Sequence, residues 1–76
     1  MRAGMAVETQ ERIAGNIKYL RKKEEMSQNQ LAYLLQIDRT SLSGYEIGKR
    51  TPDVYMLCRI ADVFDVSLDV LVGRRK

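Results

Sequence analysis

The stretch 27–52, SQNQLAYLLQIDRTSLSGYEIGKRTP, carries the strongest structural pattern in this 76-residue chain. Ser27 offers an oxygen to the free amides at a helix start, and Gln30, three residues on, can reach back to it. Leu31, Ala32, Leu34 and Leu35 supply an apolar face. This helix stops near Leu35 or Gln36, only about two turns long. Ile37 and Asp38 follow, and Asp38 suits a second helix start, where its negative charge meets the positive end of the dipole. That second helix covers 39–47, turns Leu42 and Tyr45 inward, and ends at Gly48. The stretch therefore reads as two short capped helices separated by about three residues. Helices so short do not persist alone in water, so both must be held by packing.

Working outward, Ile13, Ile17 and Leu20 recur at i, i+4 and i+7, which predicts a longer helix over about Glu8 to Glu25. Arg12, Lys18, Lys22 and Lys23 are left on its solvent side. On the other flank, Pro52 and Asp53 open a helix carrying Met56, Leu57, Ile60, Ala61 and Phe64. Cys58 reads as a small packing residue on that helix, and Tyr19 and Tyr55 as amphipathic packing. Ser67 caps a last short helix with Leu68, Leu71 and Val72, closed by Gly73. No segment alternates like a strand, so the expected fold is all-α with five helices. The organisation is an N-terminal arm over 1–7, one domain over 8–73 and a mobile basic tail over 74–76.

Composition narrows the function classes. With no histidine and one cysteine, neither an internal disulfide nor a Cys/His zinc site is expected, and no cofactor is implied. There is no phosphate loop and no evident nucleophile–base pair, so an enzyme is not expected. No apolar run reaches the roughly 20 residues that span a bilayer, and the N-terminus lacks the apolar core of a signal peptide. A cytoplasmic protein without membrane contact is the expectation. The net charge of +3 is only mildly basic. A chain this short buries a modest core, so association into a homodimer is the expected source of extra burial.

The same stretch resembles the Cro/C1-type (XRE) helix-turn-helix family of phage repressors and bacterial regulators, and the likeness runs from about Ile13 to Val72. The residues that carry it are Ser27, Gln28, Leu31 and Ala32 at the first short helix, then Glu46, Gly48, Lys49 and Pro52 at the end of the second. Further on they are Ile60, Ala61, Phe64, Val66, Ser67, Leu68 and Asp69. The run 38–44, DRTSLSG, also resembles controller proteins of restriction–modification systems. The resemblance implies a compact lambda-repressor-like domain and a sequence-specific regulator of transcription. It would act as a repressor and bind a near-palindromic operator in double-stranded DNA as a dimer.

Within that resemblance the helix 39–47 enters the major groove, where Arg39, Thr40, Ser43 and Gly44 fall on the outer stripe and become the base contacts. Arg39 is the chief reader, suited to the O6/N7 edge of guanine. Ser27, Gln28, Lys49 and Arg50 are placed as phosphate contacts, which position the protein without reading sequence. Arg21 and Glu46 are implied to bridge and orient the recognition helix. Ala32 is small where the two short helices cross. The dimer surface is expected from Phe64, Val66, Leu68 and Val70.

Two positions depart from the family's pattern. Gly44 replaces a long polar side chain, at a helix cost of about 1 kcal/mol relative to alanine. Gln36 stands where a glycine of positive φ is usual, at a modest strain cost. A different class stays open beside the DNA reading: an antitoxin-like or adaptor module that uses the same fold to hold a protein partner. The polar and cationic stripe of the helix 39–47 favours DNA.

Overall fold

Ile13, Ile17 and Arg21 stand four residues apart, and all three are buried along one side of a long first helix. In the computed structural model, which describes residues 3–74, that helix is α1 (Ala3–Lys23). It is followed by α2 (Gln28–Leu35), α3 (Arg39–Glu46), α4 (Val54–Phe64) and α5 (Leu68–Leu71), with no strand among the described residues. The all-α expectation holds. α1 begins earlier than the Glu8 start read from the sequence, so the backbone of residues 3–7 continues the helix instead of forming a separate arm. Of the basic tail, Arg74 is anchored through its amide to the Asp69 carbonyl at 2.8 Å. Arg75 and Lys76 lie outside the described residues.

α1 packs on α3 and α5, α2 packs on α3 and α4, and α4 packs on α5. The side chains of Ile17, Leu31, Leu35, Leu42, Ile60 and Leu71 are fully enclosed between them. Each such side chain contributes roughly 1.5–3 kcal/mol by leaving water. Ala32 is also buried, as a close α2–α3 crossing requires. The starts of the other four helices, α2 to α5, follow the sequence reading closely. Ser27 accepts from the Gln30 amide at 3.0 Å while the Gln30 side chain accepts from the Ser27 amide at 2.7 Å, a complete capping box. Asp53 caps α4 through the Met56 amide at 2.8 Å, and Ser67 caps α5 through the Val70 amide at 3.1 Å.

Several apolar side chains sit elsewhere than expected. Leu34 is 46% exposed, because at about 100° per residue it lies roughly 100° from the arc centred on Leu31, Ala32 and Leu35. Cys58 is exposed, since it lies roughly 100° round α4 from the arc centred on Leu57, Ile60 and Ala61. Tyr19 and Tyr55 are also exposed, and the Tyr55 ring packs under the Arg59 guanidinium at 5.9 Å. Helical spacing placed each of these near an apolar stripe; only the neighbouring helices fix how wide the buried arc is.

All five described helices end the same way. A residue in the left-handed region follows the last turn, and the next amide bonds back to a carbonyl five residues earlier. The left-handed positions are Glu25 (φ 58°), Gln36 (φ 60°), Gly48 (φ 77°), Asp65 (φ 56°) and Gly73 (φ 82°). The returning amides are Met26 to Arg21, Ile37 to Ala32, Lys49 to Gly44, Val66 to Ala61 and Arg74 to Asp69, at 2.8–3.0 Å. Three of these sites therefore carry a residue with a Cβ in a conformation that favours glycine. Gln36 is exposed, and its side chain forms no hydrogen bond with the described residues that a substitution would break. We expect Gln36→Gly to stabilise the fold by about 0.5–1 kcal/mol, the relief of strain exceeding the added freedom of the unfolded chain. Thermal unfolding followed by circular dichroism checks this, with a midpoint higher by a few degrees as the expected outcome.

Candidate nucleic-acid interface

The turn between α2 and α3 is residues 36–38, and each has one task. Gln36 reverses the chain through its left-handed backbone. Ile37 packs its side chain against the core. Asp38 is extended (φ −80°, ψ 158°) and starts α3. The Asp38 carboxylate makes no capping bond of ordinary geometry, yet its pKa is held below the usual carboxylate value, chiefly by the Ser41 hydroxyl. Arg50 adds a smaller attraction of the same sign. With Leu42 fully buried, α3 can present only one face outward.

A buried ion pair fixes the angle of that face. Arg21, on α1, donates from Nε to Glu46 Oε2 at 2.6 Å and from Nη2 to Oε1 at 3.0 Å, a bidentate pair. Its Nη1 donates to the Met26 carbonyl at 2.8 Å. Both residues are buried, Arg21 at 8% and Glu46 at 6% exposure. The Glu46 hydrogen bond is the main reason that the Arg21 pKa is raised above its already high ordinary value. The bridge expected from the family resemblance is therefore formed, between the last turns of α1 and α3.

Gln28 extends this pair toward the surface. Its Nε2 donates to Glu46 Oε1 at 3.1 Å, and its Oε1 accepts from Arg39 Nη1 at 3.4 Å. A chain of contacts thus runs Arg21–Glu46–Gln28–Arg39, from the buried side of α1 to the first residue of α3. The sequence suggested the first two members as a pair, and Gln28 and Arg39 as separate contacts. Only the fold shows that one amide joins them.

Arg39, Thr40, Ser43, Gly44, Lys49 and Arg50 line one shallow concavity with Ile47. Residues expected as base and phosphate contacts are thus gathered on a single face. Gly44 is not on an open stripe as expected: it is buried, because the Arg50 side chain lies across it. Ser27 is exposed, with its oxygen turned to the Gln30 amide. Phe64, Val66, Leu68 and Val70 belong to the α4–α5 end, apart from this concavity. Phe64 and Val66 are half-buried against the core, Val70 is half-buried, and Leu68 is 39% exposed.

Two further polar contacts were not anticipated. Gln10 Nε2 donates to the Gly48 carbonyl at 2.8 Å, tying α1 to the loop after α3. A polar residue three before Ile13 and seven before Ile17, on the apolar stripe itself, was the signal for it. Asn16 Nδ2 donates to the carbonyls of Leu71 at 2.9 Å and Val70 at 3.3 Å, satisfying orphan acceptors at the end of α5. Its position on α1 carries no such signal.

Two short helices meeting through a three-residue turn, the second with a cationic outer face, define a helix-turn-helix domain. The helix-turn-helix family model matches residues 17–71, and the chain belongs to that family, in its Cro/C1-type (XRE) branch. It is 44% identical over 57 residues to the HTH-type transcriptional regulator AnsR of Bacillus subtilis, covering 75% of this chain and 49% of that protein. It is 38% identical over 64 residues to the cryptic phage CTXphi transcriptional repressor RstR of Vibrio cholerae, covering 84% of this chain and 54% of that one. The chain thus spans about half the length of these curated relatives. Its fold is similar to the restriction–modification controller protein C.AhdI from Aeromonas hydrophila, with a TM-score of 0.75 and 26% identity over 82% of this chain and 94% of that one.

Removing one member of the buried pair strands the other. Glu46→Ala should destabilise the domain by about 3–5 kcal/mol, whereas replacing Arg21 and Glu46 together by Met should cost far less. Urea unfolding of the two variants distinguishes these outcomes.

Proposed function

We propose that this chain is a sequence-specific regulator of transcription, acting as a repressor on a near-palindromic operator in double-stranded DNA, with α3 in the major groove. The observation that carries the reading is the placement of Arg39. It stands at the first residue of α3, beside Thr40 on a cationic concavity, and Gln28 connects it to a buried ion pair. A guanidinium held at the N-terminal end of a groove-sized helix suits the O6/N7 edge of guanine. Thr40 and Ser43 reach bases beside it. Ser27, Gln28 and Lys49 take phosphates, Gln28 through the second N–H of the amide that already serves Glu46. Membership of the family, and the names that AnsR and RstR carry, support regulation of transcription as the activity.

Half-sites in such operators lie about 34 Å apart, one helical turn, which calls for a two-fold pair of domains. Leu68, with the open sides of Phe64, Val66 and Val70, supplies an apolar surface at the α4–α5 end for this contact. No helix among the described residues is long and apolar enough to cross a membrane.

The test is selection from a random duplex library, followed by fluorescence anisotropy on the selected site over a range of salt concentrations. The wild type should prefer one near-palindrome to unrelated DNA, and Arg39→Ala should lower that preference roughly tenfold to a hundredfold. A wild type that binds every duplex alike, or a co-purified protein partner with no DNA affinity, would reject the reading. A promoter overlapping the selected site should lose output when the protein is supplied. For the dimer, Leu68→Glu should shift sedimentation toward the monomer and weaken binding to the two-half-site duplex, with the helical circular dichroism unchanged.

A further inference from the structure

Gly44 and Arg50 are complementary in shape. A Cβ on residue 44 would stand 3.0 Å from Arg50 Cδ, 3.2 Å from its Cγ and 3.7 Å from its Cβ. The Arg50 side chain therefore crosses α3 where residue 44 would otherwise present its own. Gly44 is buried beneath it, in the middle of the concavity that also holds Arg39, Thr40 and Ser43. Arg50 itself remains exposed, so its methylene groups cover the helix while the guanidinium stays in water.

The backbone fixes the root of this side chain. The Gly44 carbonyl accepts from the Lys49 amide at 3.0 Å and from the Arg50 amide at 3.2 Å. Gly48, in the left-handed region at φ 77°, turns the chain so that both amides face that carbonyl. Arg50 also adds a small attraction to the Asp38 carboxylate, at the end of α3 that bears Arg39.

On the DNA-reading function proposed above, we infer that Arg50 is a specificity-determining residue that reads a base edge, carried across Gly44 onto the groove-facing side of α3, and not a phosphate contact. It takes the place of the long side chain that residue 44 lacks. Its planar donor fork suits a guanine edge in the major groove. Each domain then brings two arginines to the groove, Arg39 from the helix start and Arg50 from the loop beyond its end. Lys49, beside it, is left for the DNA backbone.

Selection from random duplexes with the wild type, Arg39→Ala, Arg50→Ala, Arg50→Lys and Gly44→Gln tests the assignment. Arg50→Ala and Arg50→Lys should both lose preference, roughly tenfold to a hundredfold, at one half-site position different from the one lost in Arg39→Ala. Gly44→Gln, which displaces the Arg50 side chain, should alter preference at that same position. A phosphate contact predicts the opposite pattern: an unchanged motif, uniformly weaker binding, a salt slope smaller by about one and recovery in Arg50→Lys. That pattern overturns the role of Arg50 while leaving the regulator intact. A wild type that selects no motif at all removes the DNA reading, and this assignment with it.

Discussion

The buried Arg21–Glu46 pair is the constraint on which the rest of the site depends. A desolvated carboxylate and guanidinium tolerate little error, because each must find its partner inside the protein or remain unsatisfied. The bidentate geometry therefore fixes the last turn of α3 against the last turn of α1. Replacing the pair with apolar residues could leave stability nearly unchanged. What the pair adds is orientation. It defines which face of an eight-residue helix looks outward, a matter that Leu42 alone leaves loose.

That orientation is passed to the surface by a neutral amide. Gln28 sits at the first turn of α2, and its two ends differ in chemistry: the nitrogen serves Glu46 and the oxygen receives Arg39. The anion inside thus dictates which way the amide points, and the amide in turn offers Arg39 an acceptor. The contact to Arg39 is long and exposed, so its role is to bias the guanidinium and not to lock it. A side chain held so loosely keeps much of its rotamer freedom.

The C-terminal end of α3 is organised by backbone and not by charge. A left-handed Gly48 and two amides converging on the Gly44 carbonyl bring the following loop back against the helix. The same closing motif ends every described helix, and three times it does so with a residue that carries a Cβ. Short helices cannot hold their ends by length, so local closure and the anchors from α1 take that role. Gln10 holds the loop after α3, and Asn16 holds the end of α5. α1 is therefore both a wall of the core and the frame for α3, the loop after it and α5.

The sequence by itself determined the five helices, the starts of α2 to α5 and the turn between α2 and α3. Those features rest on local chemistry: hydroxyl and carboxylate caps, helical spacing of apolar residues, and glycines after the last turn. The in-register family residues added the Arg21–Glu46 pair and the outer stripe of α3. Spacing along one helix could not say how wide its buried arc is, which is why Leu34, Cys58 and Tyr55 are exposed against expectation. Nor could it join residues across helices. The link through Gln28, the Asn16 anchor and the passage of Arg50 over Gly44 connect positions 6 to 55 residues apart in the chain, at distances that only the packed fold sets.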